Sequence, residues 1–111
     1  MPAKMSDPNL LCSLEDLFRA LASQSRLQIL RLLNKHPLCV GALAARLQMT
    51  PGAISQHLQV LREAGLVVGD RRGCYMHYRL REGVQDRIAE AIRDMFGGAD
   101  GPAASSDTRQ S

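Results

Sequence analysis

Residues 50–66 read TPGAISQHLQVLREAGL and predict a single helix with both ends marked. Thr50 is a good N-cap, and Pro51 suits the first helical position. Gly65 stands where a left-handed C-cap is needed. Apolar residues recur between these ends at the spacing of one helix face, and they are Ile54, Leu58 and Leu61. The segment therefore predicts an amphipathic helix with a defined inner side.

The other side of this helix carries small, amide and hydroxyl groups without charge, at Gly52, Ser55, Gln56 and Gln59. Glutamine pairs bidentately with adenine, serine reaches several base edges, and glycine lets a helix approach a groove wall. An ordinary solvated face, which is the alternative, would more often carry Lys and Glu. We therefore predict DNA contacts along the helix, at Thr50, Pro51, Gly52, Ser55, Gln56, His57 and Gln59. We expect a phosphate or structural hydrogen bond for His57, because it lies at the edge of the apolar stripe.

The preceding segment completes a helix-turn-helix. Residues 40–47 place Val40, Leu43, Ala44 and Leu47 on one face of a short helix. A turn of a few residues joins this helix to the one that begins at Pro51. Two short helices with such a connection form the helix-turn-helix pattern.

Two further helices are predicted upstream. Ser13 can cap the first, with Asp16 three positions later as the capping-box acid. A second helix includes residues 27–33 and is apolar over more than one face. It ends at His36-Pro37, because the residue before proline leaves the helical region.

Downstream of Gly65 the periodicity changes from 3.6 to 2, which predicts a β-hairpin, or wing. Its polar turn is expected at residues 69–73. One face of its second strand is expected to hold Cys74, Met76, Tyr78 and Leu80. A last helix spans about residues 84–96.

The fold class is therefore mainly α with a β-hairpin wing, a winged helix-turn-helix of order α-α-α-α-β-β-α. The 111-residue chain divides into a flexible segment 1–11, a domain 12–96 and a disordered segment 97–111. A domain this small buries additional apolar surface when it pairs with a second subunit. A homodimer through the terminal helices is predicted, with its interface at Leu14, Leu17, Phe18, Ile88, Ile92 and Met95.

The net charge of +3 is unevenly distributed. Residues 23–81 hold nine Lys and Arg against two carboxylates, so this part alone carries +7. A basic middle is expected of a module that meets phosphate, although a solvated basic face is the alternative. Arg71 and Arg72 in the hairpin turn are candidates for phosphates or the adjacent minor groove.

Other classes find little support in the sequence. No apolar run is long enough to cross a bilayer, and the first 12 residues lack a secretory signal, so we expect a soluble, cytoplasmic protein without a membrane partner. The three cysteines indicate neither a disulfide framework nor a zinc finger. We expect no enzyme, because paired carboxylates, a phosphate loop and a neighbouring Cys-His pair are not found.

Four stretches, residues 17–22, 25–33, 55–67 and 72–80, together make the sequence similar to a known family. They resemble the winged-helix repressors of the arsenical-resistance (ArsR/SmtB) family over about residues 13–96. The resemblance implies a homodimer that binds a palindromic operator and releases it when an inducer arrives.

The family's inducer sites match this chain only in part. Its dimer-interface zinc site uses an Asp-x-His pair, but here Asp86 is followed two positions later by Ile88. Its thiol site resembles Glu-Leu-Cys-Val-Cys-Asp-Leu, whereas residues 37–43 read Pro-Leu-Cys-Val-Gly-Ala-Leu. Cys39 keeps the first ligand position, and Cys12 stands where a second subunit's donor comes from in some members. The resemblance thus implies arsenite or another soft metal ion as inducer, with no resident cofactor.

Three alternatives remain open from the residues. Two thiols fall short of the three that trivalent arsenic prefers. Cys12 and Cys39 equally suit a redox or persulfide switch. A second alternative is that the inducer site has decayed or moved. An architectural or protein-interaction winged helix is the rival from another class. Cys74 is expected to be a small core residue.

Overall fold

The computed structural model describes residues 13–97, and within them the chain forms five helices and three strands. In chain order these are α1 (Leu14–Leu21), α2 (Gln24–Leu33), β1 (Leu38–Cys39), α3 (Val40–Leu47), α4 (Pro51–Glu63), β2 (Val67–Arg72), β3 (Tyr75–Leu80) and α5 (Val84–Met95). The predicted winged helix-turn-helix is confirmed, with one short strand in addition.

The chain separates into two compact units, one up to Arg81 and one from Glu82 onward. The first unit contains α1 to α4 and the sheet, and the second contains α5. The domain boundaries at residues 12 and 96 stay predictions. The two segments expected to be flexible lie, apart from Gly97, outside the described residues.

Helix α4 begins and ends where the sequence predicts. The Thr50 hydroxyl accepts a hydrogen bond from the Ala53 backbone N–H at 3.1 Å, and Pro51 occupies the first helical position. At the other end Gly65 adopts φ +78°, its N–H donates to the Arg62 carbonyl, and the Leu66 N–H donates to the Leu61 carbonyl, both at 2.9 Å. These two bonds form a Schellman motif, which turns the chain sharply into the wing.

The core of the first unit is entirely apolar. Among the described residues no polar or charged residue is buried. The largest fully buried side chains come from the second helix, both helices of the helix-turn-helix and the start of the wing: Ile29, Leu43, Ile54, Leu58, Leu61, Leu66 and Val67. Because α4 supplies three of them, this core fixes the rotation of α4 about its axis.

The strands form one antiparallel sheet in the order β1-β3-β2. Strand β1 was not expected from the sequence, because two residues carry no periodicity and their partners lie 40 and 38 positions away. Leu38 pairs with Tyr78 and Cys39 pairs with His77. This pairing ties the start of α3 to the wing.

The predicted wing turn is wrong by several residues. Residues 69–72 belong to β2, and Arg72 pairs directly with Tyr75, so the turn is the two-residue loop Gly73-Cys74. Gly73 has φ +64°, as the first position of a tight hairpin loop requires. Cys74 is therefore exposed in the turn, and the expectation that it lies inward as a small core residue is wrong. Met76, Tyr78 and Leu80 do alternate on one face of β3, as predicted.

The second unit contributes one amphipathic helix. Gly83 caps α5 with φ +77°. Ile92 and Met95 are 42% and 46% exposed, and Phe96, which follows the helix, is 75% exposed. This helix leaves apolar surface uncovered. None of the helices in residues 13–97 is long and apolar enough to cross a membrane.

Truncating the inner side of α4 should be far more destabilising than truncating its outer side. Ile54 is fully buried and Gln56 is exposed. Ile54→Ala should lower the free energy of unfolding by about 2–5 kcal/mol, and the milder Ile54→Val by about 0.5–1.5 kcal/mol. Gln56→Ala should stay within about 0.5 kcal/mol of the parent protein. Urea unfolding checks the order, and equal losses for Ile54→Ala and Gln56→Ala would contradict the assigned faces.

Candidate nucleic-acid interface

The outward side of α4 presents an uncharged polar surface. Gly52, Ser55, Gln56 and Gln59 are all exposed. A Cβ at Gly52 would meet no atom within 4 Å, so the helix is open to close approach there. The Gln59 amide donates to the Glu63 carboxylate at 3.3 Å, whereas a bidentate base contact would need that amide free. Gln56 and Ser55 are therefore the better placed of the four for base edges.

The start of α4 is also exposed, at Thr50 and Pro51. The Thr50 hydroxyl already serves the helix as its N-cap. Thr50 therefore holds the first turn of α4, whose remaining N–H groups and partial positive charge suit a phosphate.

An arginine from α2 links α4 to the first helix. Arg26 Nε donates to the Ala20 carbonyl at 2.7 Å and Nη2 donates to the Arg19 carbonyl at 3.2 Å. Its third contact joins Nη1 to His57 Nδ1 at 3.2 Å. One guanidinium thereby satisfies two carbonyls near the end of α1 and fixes a side chain of α4. Nothing in the sequence pattern singles out Arg26, because its partners lie six, seven and 31 positions away.

The tautomer of His57 follows from this contact. A guanidinium only donates, so Nδ1 accepts and the imidazole proton resides on Nε2. Burial, and then the positive charge of Arg26, lower the pKa of His57 below its ordinary value of 6.5. His57 is therefore mainly neutral at pH 7 and keeps one N–H donor. The phosphate contact proposed for it stays a prediction.

A cavity of about 340 Å³ lies between α4 and the wing. Ser55, Gln59, Arg62, Glu63 and Tyr78 line it. Arg62 and Tyr78 were not identified from the sequence as candidate contacts. Arg62 lies in the last turn of α4, where the helix dipole commonly favours a basic residue. Tyr78 reaches the site only because β3 folds back beside the helix.

The wing presents the two predicted arginines. Arg71 and Arg72 are exposed at the end of β2, next to the Gly73-Cys74 loop. Behind them Arg79 Nε donates to the Asp70 carboxylate at 2.7 Å, so the one acidic group of the wing is already paired. The exposed positive charge of the wing therefore belongs to its tip.

The cysteine candidates are placed only in part. Cys39 is half-buried with a free thiol, and Cys12 lies outside the described residues. Within the part of the chain that the structure describes, no three His, Cys, Asp or Glu side chains are grouped to hold a metal ion.

The residues predicted for the dimer interface differ in exposure. Leu14, Phe18 and Ile88 are half-buried, and Ile92 and Met95 are exposed. Leu17 is only 7% exposed within a single chain, so it serves the core of its own subunit.

A family model and known regulatory proteins match this chain. A family model described as "Bacterial regulatory protein, arsR family" matches residues 23–68, which span α2 to the start of β2. The chain is 42% identical over 92 residues to the HTH-type transcriptional regulator NmtR of Mycobacterium tuberculosis, an alignment that covers 82% of this chain and 77% of NmtR. It is 43% identical over 81 residues to the arsenical resistance operon repressor of Escherichia coli, covering 72% of this chain and 69% of the repressor.

A solved structure extends the similarity to the fold. It is described as the homodimeric winged helix-turn-helix DNA-binding domain of a possible ArsR-family regulator from Mycobacterium bovis. The two chains are 32% identical with a TM-score of 0.60, and the match covers 79% of each.

Acid should weaken the fold through His57. Because the pKa of His57 is lower in the folded chain, the unfolded state binds its proton first as pH falls below 6.5. The contribution of this residue to the free energy of unfolding is therefore complete above that value and declines below it. Unfolding of the wild type and of His57→Gln, compared about one pH unit above and below 6.5, should show the smaller acid loss in the variant. Parallel losses in both proteins would refute this assignment.

Proposed function

The chain belongs to the arsR family of bacterial regulatory proteins, and from this premise we propose that it is a homodimeric, DNA-binding transcriptional repressor. In this proposal it releases a palindromic operator when a thiol-directed inducer, arsenite or another soft metal ion, acts at Cys39. The observation that carries the proposal is the exposed, uncharged polar face of α4, held outward by the buried residues of its other face.

Base contacts are assigned to α4 and phosphate contacts to the wing. Gln56 and Ser55 are exposed side chains with the hydrogen-bonding groups that distinguish base edges in the major groove. Arg71 and Arg72 carry the exposed charge at the wing tip, which suits phosphates or the adjacent minor groove. Arg62 and Tyr78 extend this surface between the helix and the wing.

In a homodimer, two copies of this surface bind one palindromic operator. The exposed apolar residues Ile92 and Met95 of α5 support the interface predicted for the terminal helices. Two copies related by a two-fold axis place two α4 helices on a palindrome, with half-sites one or more helical turns apart. Leu17 is better counted with the core than with this interface.

Cys39 is the inducer position. It is half-buried, its thiol is free, and it stands at the N-cap of α3 without a side-chain hydrogen bond to the helix. A change at this sulfur therefore acts at the first residue of the helix-turn-helix. Cys12 joins it in the proposal as a second thiol, and oxidation or persulfide formation at the same sulfurs is the competing mode of sensing. We further propose a regulator located in the cytoplasm and without catalytic activity, in keeping with the regulator names of its relatives.

Two single substitutions should separate sequence discrimination from general affinity. Gln56→Ala should cost about 1–3 kcal/mol on a selected operator and little on unrelated duplex. Arg71→Ala should weaken binding to all sequences alike and reduce the salt slope by about one. Fluorescence anisotropy on an operator selected from random duplexes, with scrambled DNA beside it, measures both.

The same losses for the two variants on both DNAs would contradict this division of labour. Binding that vanishes with competitor DNA would instead favour an architectural winged helix.

A second thiol beside Cys39 should strengthen arsenite binding. A Cβ built on Gly41 lies 4.0 Å from Cys39 Sγ, so Gly41→Cys adds a thiol within reach of the first. Because trivalent arsenic prefers three thiolates, the affinity for arsenite should rise by about tenfold or more. The arsenite concentration that releases operator DNA measures this change.

Gly41→Ser is the matched control, since it adds a side chain of similar size that is a poor arsenic ligand. Cys39→Ser should abolish release. If Gly41→Cys and Gly41→Ser respond to arsenite alike, Cys39 is not the arsenite position.

A further inference from the structure

Cys39 and His77 form a cross-strand pair. They are direct partners in the antiparallel pairing of β1 with β3, so both side chains lie on the same face of the sheet. The Cβ atoms of such partners are about 4.5–5.5 Å apart. A sulfur and an imidazole are thereby held together, although 37 residues separate them in the sequence.

The imidazole of His77 has an unused nitrogen. Its Nδ1 is buried and has no hydrogen-bond partner among the described residues. On its other side His77 faces Asp70 of β2, but that carboxylate is bound by Arg79 Nε at 2.7 Å. In folded proteins a buried nitrogen of this kind is usually met by an ordered water, a bound ion or a functional contact.

The sulfur of Cys39 is also unused by the fold. The residue caps α3 through its backbone alone, with no side-chain hydrogen bond, and the thiol is free. The N-terminal end of a helix favours anionic groups. The strand register therefore places a partly accessible sulfur and a buried nitrogen on one face, at a Cβ separation that one bridging ion with bonds of about 2 Å to each ligand can span.

We propose that Cys39 Sγ and His77 Nδ1 form a two-ligand site for a soft monovalent cation of the Cu(I) and Ag(I) class. Such ions accept two ligands in a nearly linear arrangement and choose thiolate and imidazole. The site needs no third ligand. The thiol gives its proton to solvent when the ion binds.

This site identifies the inducer of the proposed function as a soft monovalent cation. The regulatory part of the inference rests on that proposed function. An ion between the two residues cross-links β1, which leads directly into α3, to β3, which follows the wing tip. Binding of the ion and binding of DNA are then coupled through the relative placement of the helix-turn-helix and the wing.

Silver binding to a protein with one thiol tests the site. In a Cys12→Ser, Cys74→Ser background Cys39 is the sole cysteine. Calorimetric titration with Ag(I) in chloride-free buffer should give one ion per chain. His77→Gln should lower the Ag(I) affinity by at least about tenfold, as loss of a metal ligand or its support does, and Cys39→Ser should remove binding. The matched control is His36→Gln, a histidine three positions before Cys39 that is already hydrogen-bonded to Pro37, and it should bind like the parent.

Equal Ag(I) affinities for the parent and His77→Gln would overturn the proposal, as would an equal loss in His36→Gln. If His77→Gln fails to fold, nitrogen NMR of the parent decides: Ag(I) should shift the Nδ1 resonance of His77, and an unmoved resonance overturns the site. DNA anisotropy separates this inference from the proposed function. Ag(I) binding that depends on His77 but leaves DNA bound would support the site and contradict inducer release.

Discussion

The burial of one side of α4 is the constraint on which the rest of the molecule depends. Ile54, Leu58 and Leu61 are at most 1% exposed, and each buried side chain of this kind contributes about 1.5–3 kcal/mol of transfer free energy. Rotating α4 by half a turn would expose all three and bury Ser55 and Gln56 without partners. The helix therefore has one orientation, and its polar side faces solvent because its apolar side cannot.

Polar contacts then set the position of α4 along its axis and against its neighbours. Thr50 begins the helix, and the two hydrogen bonds around Gly65 end it. Arg26 joins His57 to the carbonyls at the end of α1. A surface meant to recognise DNA gains from such support, because its side chains are held before the partner arrives.

Local signals made much of this structure predictable. The caps of α4 and the start of α1 at Ser13 depend on residues within one helical turn, and the structure places them as expected. Strand β1 and the exact wing turn were not predictable in this way. Leu38 and Cys39 become a strand only through β3, and the loop at Gly73-Cys74 depends on which residues of β2 and β3 pair. The sequence therefore identified Cys39 but not His77, since their proximity is a property of strand register.

The same distinction applies to the candidate interface. Its polar helix face follows from periodicity, whereas Arg62 and Tyr78 join it only after the wing has folded beside α4. Backbone amide chemical shifts, recorded while a selected operator duplex is added, show directly whether α4 and the wing tip meet DNA. The largest changes should fall on Gly52, Ser55, Gln56 and the wing tip. Changes centred on α1 or α5, with α4 unmoved, would contradict it.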